Sequence, residues 1–357
     1  MIDKNHGGNC SKRNIIDFSV NTNPLGLPEG LSDIISRNTG LILRYPEPAS
    51  ERLRRVLAAL HDIRPENIAI GNGSIELIYL VPRAFKTKRA LIITPTFSEY
   101  EFAVESNGSI PVFFKTFEKE DFKIDCGKLA ERLPCCDAFF LCNPNNPTGY
   151  MLHSDKVLYL SRLSRKYKGI LILDEAFIEF TKEARGTAII SEAVKNESLV
   201  ILRSLTKFFA MPGLRLGYAI GHKRIIEKIS KLQYPWNVNS LAQFAGEKVL
   251  ADKSYMDRTR LFVAKERQYL FEGLGSIKGL KVYPSPANFI LCKLQTRLGS
   301  GSIPSTAERL TRQLLRKGIY IRACGNFRGL SDRFFRVAVR KRDDNDRLIN
   351  SIEKALR

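Results

Sequence analysis

The chain has 357 residues, 44% of them hydrophobic and 26% charged, which is typical of a globular protein with one large and one smaller domain. Its 57 lysines and arginines against 37 acidic residues give a formal net charge of +20. These basic residues are spread along the chain and mixed with acids, so they predict a diffuse positive surface that favours anionic substrates, and no nucleic-acid partner.

Neither a membrane segment nor a metal centre is expected. No apolar run approaches the roughly 20 residues that span a bilayer. The N-terminus is polar and lacks the apolar centre of a signal peptide, so we expect a cytoplasmic protein. The seven cysteines are scattered and form no CxxC pair, which predicts reduced structural thiols and no metal site.

The middle of the chain alternates apolar runs with an amphipathic helical pattern. Strand, helix and strand in this order predict crossover units and a largely parallel sheet, whose ligands bind at the carboxyl ends of the strands. Lys207 follows the last of these strands closely. The predicted elements are strands at Arg89–Thr94, Ala138–Cys142, 170–173 and 199–202, and a helix at 154–168.

The last third of the chain changes character and predicts a smaller α+β domain. Strands are expected at 280–283, 289–292 and 334–339, with a helix at 305–317 that ends before Gly318. The predicted division is an N-terminal segment that joins the small domain, a large domain, and the small domain itself. Their ranges are 1–40, 41–245 and 246–357.

Four segments carry polar residues that suit a bound cofactor. A lone glycine turn or a lone lysine would more often be a turn or a surface charge, but their ordered combination is hard to obtain by chance. The glycine turn opens a helix and can bind phosphate through free backbone N–H groups. The segments are Gly71-Asn-Gly-Ser-Ile-Glu76, Asn143-Pro-Asn-Asn-Pro-Thr-Gly149, Asp174-Glu-Ala-Phe177 and Ser204-Leu-Thr-Lys207 with Arg215 eight residues further on.

This combination resembles the pyridoxal-phosphate enzymes of the aspartate-aminotransferase fold, and the resemblance covers nearly the whole chain. It implies an α/β fold in which a large domain surrounds a mostly parallel, seven-stranded sheet. A smaller α+β domain is then built from both chain ends. The resemblance also implies pyridoxal 5'-phosphate as the cofactor and a homodimer with active sites at the interface.

The resemblance assigns each cofactor contact to a residue of this chain. Lys207 would hold the cofactor as a Schiff base and later move protons, and Asp174 would keep the pyridine nitrogen protonated. The other implied contacts are the phosphate with Gly73, Ser74, Ser204, Thr206 and Arg215, the ring oxygen with Asn146, the ring face with Phe97, and the neighbouring subunit's cofactor phosphate with Tyr45.

The N-terminal and C-terminal segments resemble those of threonine-phosphate decarboxylases. The matching segments are His6-Gly-Gly-Asn9, residues 16–26 and Tyr320-Ile-Arg-Ala-Cys-Gly-Asn-Phe-Arg-Gly-Leu330. The resemblance implies that Arg336 binds the substrate carboxylate, that Arg322 and His6 surround the substrate phosphate, and that Asn23 lines the same cavity. The alternative is that both arginines are surface charges on edge strands and contact no substrate.

Phe177 stands where related transaminating enzymes commonly carry a tyrosine that bonds the ring oxygen. Either Asn146 suffices for that oxygen, or this subgroup runs different chemistry. The leading hypothesis is decarboxylation of L-threonine O-3-phosphate to (R)-1-amino-2-propanol O-2-phosphate, a step of cobalamin biosynthesis. The alternatives are histidinol-phosphate transamination with 2-oxoglutarate, phosphoserine decarboxylation, and a basic nucleic-acid-associated protein without chemistry. Intact Lys207, Asp174 and Arg215 argue against the last.

Overall fold

A computed structural model describes residues 7–8, 14–184, 186–295 and 304–357 of the chain. The strands in these residues are β1 (Ile16–Asp17), β2 (Ile68–Asn72), β3 (Arg89–Thr94), β4 (Ile110–Lys115), β5 (Ala138–Cys142), β6 (Ile170–Asp174), β7 (Leu199–Ser204), β8 (Leu216–Gly221), β9 (Leu280–Val282), β10 (Phe289–Leu294), β11 (Ile319–Tyr320), β12 (Arg322–Ala323) and β13 (Phe334–Ala338).

The α-helices in the same residues are α1 (Leu31–Arg37), α2 (Glu51–His61), α3 (Ser74–Ala84), α4 (Glu99–Ser106), α5 (Cys126–Ala130), α6 (Ser154–Lys166), α7 (Thr187–Lys195), α8 (Leu205–Phe208), α9 (Lys223–Ser230), α10 (Ser240–Ala251), α11 (Lys253–Gly275), α12 (Ala307–Arg316) and α13 (Arg342–Leu356). Short 3-10 helices lie at Thr39–Leu43, Pro65–Asn67, Glu118–Glu120, Leu133–Cys135, Ile178–Phe180 and Pro212–Leu214. No helix in the described part of the chain combines the length and the hydropathy needed to cross a bilayer.

The larger sheet has seven strands in the order β2-β8-β7-β6-β5-β3-β4. Strands β3 to β7 pair in parallel, and β8 alone runs antiparallel to its neighbours β2 and β7. The central strands β5 and β6 are buried along their whole length, because apolar residues cover both faces of the sheet. On β5, Phe139 and Phe140 enter the cores on opposite faces. The prediction of an α/β fold with a mostly parallel sheet is confirmed.

A second, antiparallel sheet has the order β12-β13-β10-β9 and packs with α11, α12 and α13 around its own apolar core. The N-terminal strand β1 pairs in parallel with β11, and Phe18 enters this second core. The N-terminal segment is therefore joined to the C-terminal elements. The exact domain limits at residues 40 and 245 stay a prediction.

The direction of β8 gathers polar residues at one edge of the large sheet. β2, β5, β6 and β7 all end at this edge, and β8 begins there, because Asn72 is paired with Leu216 and Ser204 with Gly217. The residue before β8, Arg215, therefore lies beside the ends of β2 and β7. Asp174 is the last residue of β6 at the same edge.

Candidate active site

A cavity of about 230 Å³ opens at this edge of the large sheet and reaches β12 and β13 of the second sheet. It brings together most of the residues predicted from the sequence. Those in its lining are Ser74, Phe97, Asn146, Asp174, Ser204, Thr206, Lys207, Arg215, Arg322 and Arg336. Gly73 adjoins the cavity through its contact with Arg215.

One end of the cavity is built to bind an anion. Helix α3 begins at Ser74, and the first N–H groups of a helix have no partner within it. Gly73 has φ +75°, which favours glycine, and a Cβ there would lie 2.6 Å from Nη2 of Arg215, so a larger residue would displace that guanidinium. The hydroxyl oxygens of Ser204 and Thr206 lie 2.7 Å apart beside the same turn. A helix N-terminus, two hydroxyls and a guanidinium together match a phosphate group.

Lys207 lies on the short helix α8 directly after β7 and is partly buried at the cavity. Burial disfavours its ammonium form, and the positive charges of Arg336 and Arg215 disfavour it further, so the pKa of Lys207 is lowered to about 8. With this pKa, about one tenth of the amine is in its neutral, nucleophilic form at pH 7, far more than for an ordinary lysine.

Asp174 is buried, and two hydrogen bonds hold its carboxylate in place. Tyr100 donates its hydroxyl proton to Oδ2 over 2.7 Å, and the backbone N–H of Ala176 donates to Oδ1 over 2.9 Å. Burial raises the pKa of Asp174, whereas both hydrogen bonds favour the ionised form. Burial also raises the pKa of Tyr100 well above its ordinary value, so Tyr100 stays a donor.

Arg336 lies on β13 and is buried against Asn146. Its Nη1 donates to Oδ1 of Asn146 and its Nη2 to the carbonyl oxygen of Ser19 over 2.8 Å. Its Nε is buried and has no hydrogen-bond partner among the described residues. Burial lowers the pKa of Arg336 to about 10, which leaves it charged at neutral pH. A buried donor without a protein acceptor in a cavity lining has its hydrogen bond left to a ligand, an ion or water.

Arg322 lies directly opposite Arg336 in the pairing of β12 with β13. Its Nη1 donates to the carbonyl oxygen of Ala323 over 2.6 Å, and its Nη2 donates to Oδ1 of Asn326 over 2.9 Å. Like charges directly opposite each other on one sheet face are destabilising unless a ligand or counter-ion lies between them. The pair therefore fits a ligand with two anionic groups.

Two phenylalanines form apolar walls of the cavity. The ring of Phe97 meets that of Tyr100 edge-on with 5.8 Å between centroids. Phe177 is buried and packs edge-on against Phe289 with 4.9 Å between centroids. The side chain of Phe177 reaches the cavity without bringing a hydrogen-bond donor to it.

Among the described residues, Asn23 and Tyr45 were predicted as contacts but are not in the cavity lining. The substrate contact of Asn23 stays a prediction, and in the structure its side-chain nitrogen lies within 2.9 Å of the Phe208 carbonyl oxygen, the Tyr255 hydroxyl and the Thr259 hydroxyl. Asn23 thus anchors the N-terminal segment to the loop of Lys207. Tyr45 is 81% exposed on the outer surface, and His6 lies outside the described residues.

Asn21 and Tyr100 are among the cavity residues that sequence reasoning did not assign. Asn21 is 4% exposed, and its Oδ1 is buried with no hydrogen-bond partner among the described residues. It lies two positions before Asn23, in the same N-terminal segment that the sequence indicated, and it is the asparagine of this segment that lines the cavity. The signal for Tyr100 was its position three residues after Phe97, one helical turn into the same segment.

The lining fits pyridoxal 5'-phosphate. The anion site around Gly73 and Arg215 suits the phosphate, the carboxylate of Asp174 suits a protonated ring nitrogen, and the neutral amine of Lys207 suits the aldehyde. The glycine at position 73 lets the guanidinium of Arg215 lie against the turn that opens α3, which places a positive charge beside the helix N-terminus.

Comparison with known proteins gives consistent matches. The family model described as aminotransferase class I and II matches residues 13–352. A putative threonine-phosphate decarboxylase from Caldanaerobacter subterraneus subsp. tengcongensis is 39% identical over 97% of this chain and 92% of its own. The threonine-phosphate decarboxylase of Salmonella typhimurium is 34% identical over 100% of this chain and 98% of its own. A crystal structure of histidinol-phosphate aminotransferase from Clostridium acetobutylicum superimposes with a TM-score of 0.86 at 33% identity, covering 94% of this chain and 98% of that one.

Proposed function

The chain belongs to aminotransferase class I and II and is an enzyme that uses pyridoxal 5'-phosphate, and on this premise we propose that it decarboxylates L-threonine O-3-phosphate. The products are carbon dioxide and (R)-1-amino-2-propanol O-2-phosphate. The aminopropanol phosphate would serve cobalamin biosynthesis. The relatives named threonine-phosphate decarboxylase support this proposal over nearly the full length of the chain.

The observation that carries the proposal is the pairing of Arg322 with Arg336 across two antiparallel strands. Phosphothreonine has a carboxylate and a phosphate on one small molecule, so it offers one anionic group to each guanidinium. The buried Nε of Arg336, which has no hydrogen-bond partner among the described residues, and the fork geometry of arginine both suit this clamp.

Transamination of histidinol phosphate is the second candidate, and the structural similarity to an aminotransferase of that name favours it. Histidinol phosphate has a phosphate but no carboxylate, so it would use one arginine of the pair. The glutamate formed in that reaction has two carboxylates and could use both. The two candidates therefore differ in which molecule fills the clamp.

In the proposed reaction, the bound cofactor supplies an electron sink for the bond that breaks. Arg336 and Arg322 hold the two anionic ends of the substrate and so fix the rotation about its Cα–N bond. By holding both ends of the substrate, the two arginines would present the bond to the carboxylate to the cofactor, so binding energy at the phosphate would favour loss of carbon dioxide.

The other residues of the chain handle protons and exclude water. Asp174, held by Tyr100, keeps a proton on the ring nitrogen. Lys207 is the amine positioned to deliver a proton to the carbon that has lost carbon dioxide. Phe97 and Phe177 cover the reacting centre with apolar surface.

Product analysis of the purified holoenzyme tests the proposal. It should be incubated with phosphothreonine, phosphoserine and histidinol phosphate, each with and without 2-oxoglutarate. We expect carbon dioxide and aminopropanol phosphate from phosphothreonine without any keto acid. Turnover of histidinol phosphate that requires 2-oxoglutarate, with no release of carbon dioxide from phosphothreonine, would establish the second candidate instead.

We also propose that the enzyme is a homodimer in which Tyr45 contacts the partner's cofactor phosphate. The ring of Tyr45 lies 4.8 Å from that of Trp236, and both side chains are exposed. Ile42, Leu43 and Tyr234 are exposed nearby along the sequence, which makes this an unusually apolar surface. Light scattering should give twice the chain mass, and a Tyr45→Phe variant should bind the cofactor more weakly; a monomer with full cofactor affinity would refute this.

A further inference from the structure

A short turn after β12, residues 325–330, separates the active-site cavity from a second groove of about 510 Å³. Asn326 and Phe327 of this turn line both spaces. Phe97 and Ser98, from the segment before α4, also line both. The cavity and the groove therefore share a wall, and the 325–330 turn forms part of it.

On the inner side, the turn surrounds the guanidinium of Arg322. Oδ1 of Asn326 accepts a hydrogen bond from Nη2 of Arg322 over 2.9 Å, and the guanidinium carbon lies 5.4 Å from the centroid of the Phe327 ring. A guanidinium is a planar fork, so these contacts help to fix the plane in which it lies. Movement of the turn would re-aim Arg322.

On the outer side, Arg328 ties the turn to helix α4. Its Nη2 and Nε lie 2.5 Å and 3.3 Å from the two carboxylate oxygens of Glu101. Its guanidinium carbon also lies 4.1 Å from the centroid of the Phe113 ring on β4. Glu101 is the third residue of α4, directly after the segment that carries Phe97 and Ser98. One ion pair thus connects the two walls that meet at the cavity.

Most exposed ion pairs contribute little to stability. This pair differs in geometry, because it is bidentate, the arginine stacks on a ring, and Glu101 is only 20% exposed. It also joins two residues that are 227 positions apart in sequence. Glu101 lies on α4, and Arg328 lies in the turn after β12 of the second sheet. A contact between such distant segments fixes the position of the turn relative to α4 more than it stabilises the helix itself.

We propose that Arg328 and Glu101 are positioning residues for substrate binding: their ion pair holds the 325–330 turn so that Arg322 faces the anionic end of the substrate that carries phosphate. This inference rests on the proposed function, because that function assigns Arg322 to the substrate. Neither Arg328 nor Glu101 lines the active-site cavity.

The test uses the holoenzyme with Glu101→Gln, Arg328→Gln and the double variant, and with Arg55→Gln as the matched control. Arg55 forms an exposed ion pair with Glu51, on α2 away from the cavity. Each single variant should raise the KM for phosphothreonine roughly five- to twentyfold with kcat within about twofold, the range for a coupled network. The KM of the double variant for phosphothreonine should be no higher than that of either single variant. Arg328→Lys keeps the charge but loses the fork, so its KM should lie between those of the wild type and Arg328→Gln.

The comparison with unphosphorylated L-threonine separates positioning from general loosening. Weak binding of threonine, measured as inhibition, should be unchanged in the variants, and so should melting temperature and cofactor retention. Equal losses for both ligands, or an unchanged KM for phosphothreonine, would overturn the inference. If the wild type acts on histidinol phosphate alone, the decarboxylase assignment fails. The positioning role is then judged by the same rise in KM for histidinol phosphate, and its absence would refute that role.

Discussion

The lowered pKa of Lys207 predicts how the apoenzyme takes up its cofactor. Only the neutral amine attacks an aldehyde, so the rate of reconstitution with pyridoxal 5'-phosphate should rise with pH and level off, with a midpoint near 8. An ordinary lysine has a pKa of 10.5, so at pH 7 the neutral fraction of Lys207 is roughly 300-fold larger. Stopped-flow absorbance of the bound cofactor between pH 6 and 10 measures this rate.

Arg336→Gln perturbs the same quantity in a known direction. Arg336 disfavours the ammonium form of Lys207, so its removal should raise the pKa of Lys207 and shift the midpoint upward. At pH 7 the rate should fall about three- to tenfold, which corresponds to about 1 kcal/mol of lost repulsion. Burial is the larger cause and remains, so the midpoint should stay below that of a free lysine. Arg55→Gln should change nothing.

Three results would refute this reasoning about Lys207. One is a reconstitution rate that does not depend on pH, and another is a wild-type midpoint near 10. The third is a downward shift of the midpoint in Arg336→Gln.

Three further substitutions test the cofactor site. Arg215→Ala should weaken cofactor binding about ten- to hundredfold by equilibrium dialysis and leave the order of substrates unchanged, whereas full affinity would remove Arg215 from the phosphate site. Gly217→Ala should lower cofactor affinity because its Cβ would lie 2.3 Å from the Ser74 nitrogen; Gly213→Ala, with open space around it, is the control, and equal effects would contradict the argument. Tyr100→Phe removes a hydrogen bond that favours ionised Asp174, so the pKa of Asp174 should rise. Cofactor affinity should then be lost at a higher pH than in the wild type as the pH is lowered, by roughly tenfold near that pH; identical profiles would refute the role.

The centre of the large sheet could be predicted because its strands are buried on both faces and read as continuous apolar runs. β2, β4 and β8 were not predicted. β4 is an edge strand, only partly buried, and contains Pro111. β8 contains Gly217, which the close approach of Ser74 requires, and glycine weakens the strand pattern. The features that hid these strands are therefore consequences of tertiary packing.

The C-terminal ends of two predicted helices lie within two residues of the observed ends. The predicted helix 305–317 corresponds to α12, and Gly318 has φ +75° just beyond it, as the helix-end prediction requires. The predicted helix 154–168 ends earlier, at Lys166, and Lys168 has φ +58° in the turn that follows. No local signal distinguishes Lys166 from Lys168 as the last helical residue.

At the active site, the sequence could indicate residues that follow strands but not those chosen by long-range contacts. Lys207 follows β7 and Asp174 ends β6, so their convergence follows from a parallel sheet. Arg215 joins them because β8 runs antiparallel and begins at the same edge, which the sequence did not indicate. Asn21 and Asn23 belong to one segment, and only contacts with residues more than 180 positions away assign Asn23 to structure. The role of Tyr100 likewise depends on its 74-residue separation from Asp174 in the chain.

The most direct measurement is the fate of carboxyl-labelled [1-13C]phosphothreonine incubated with the holoenzyme in D2O without a keto acid. Decarboxylation replaces the carboxylate with a proton from solvent. We therefore expect one labelled carbon dioxide per substrate consumed, and aminopropanol phosphate with one deuterium on the carbon bonded to nitrogen. Two results would contradict the role of Arg322 and Arg336 in decarboxylation. One is label retained in a keto acid. The other is an enzyme that does not consume phosphothreonine but turns over histidinol phosphate with 2-oxoglutarate.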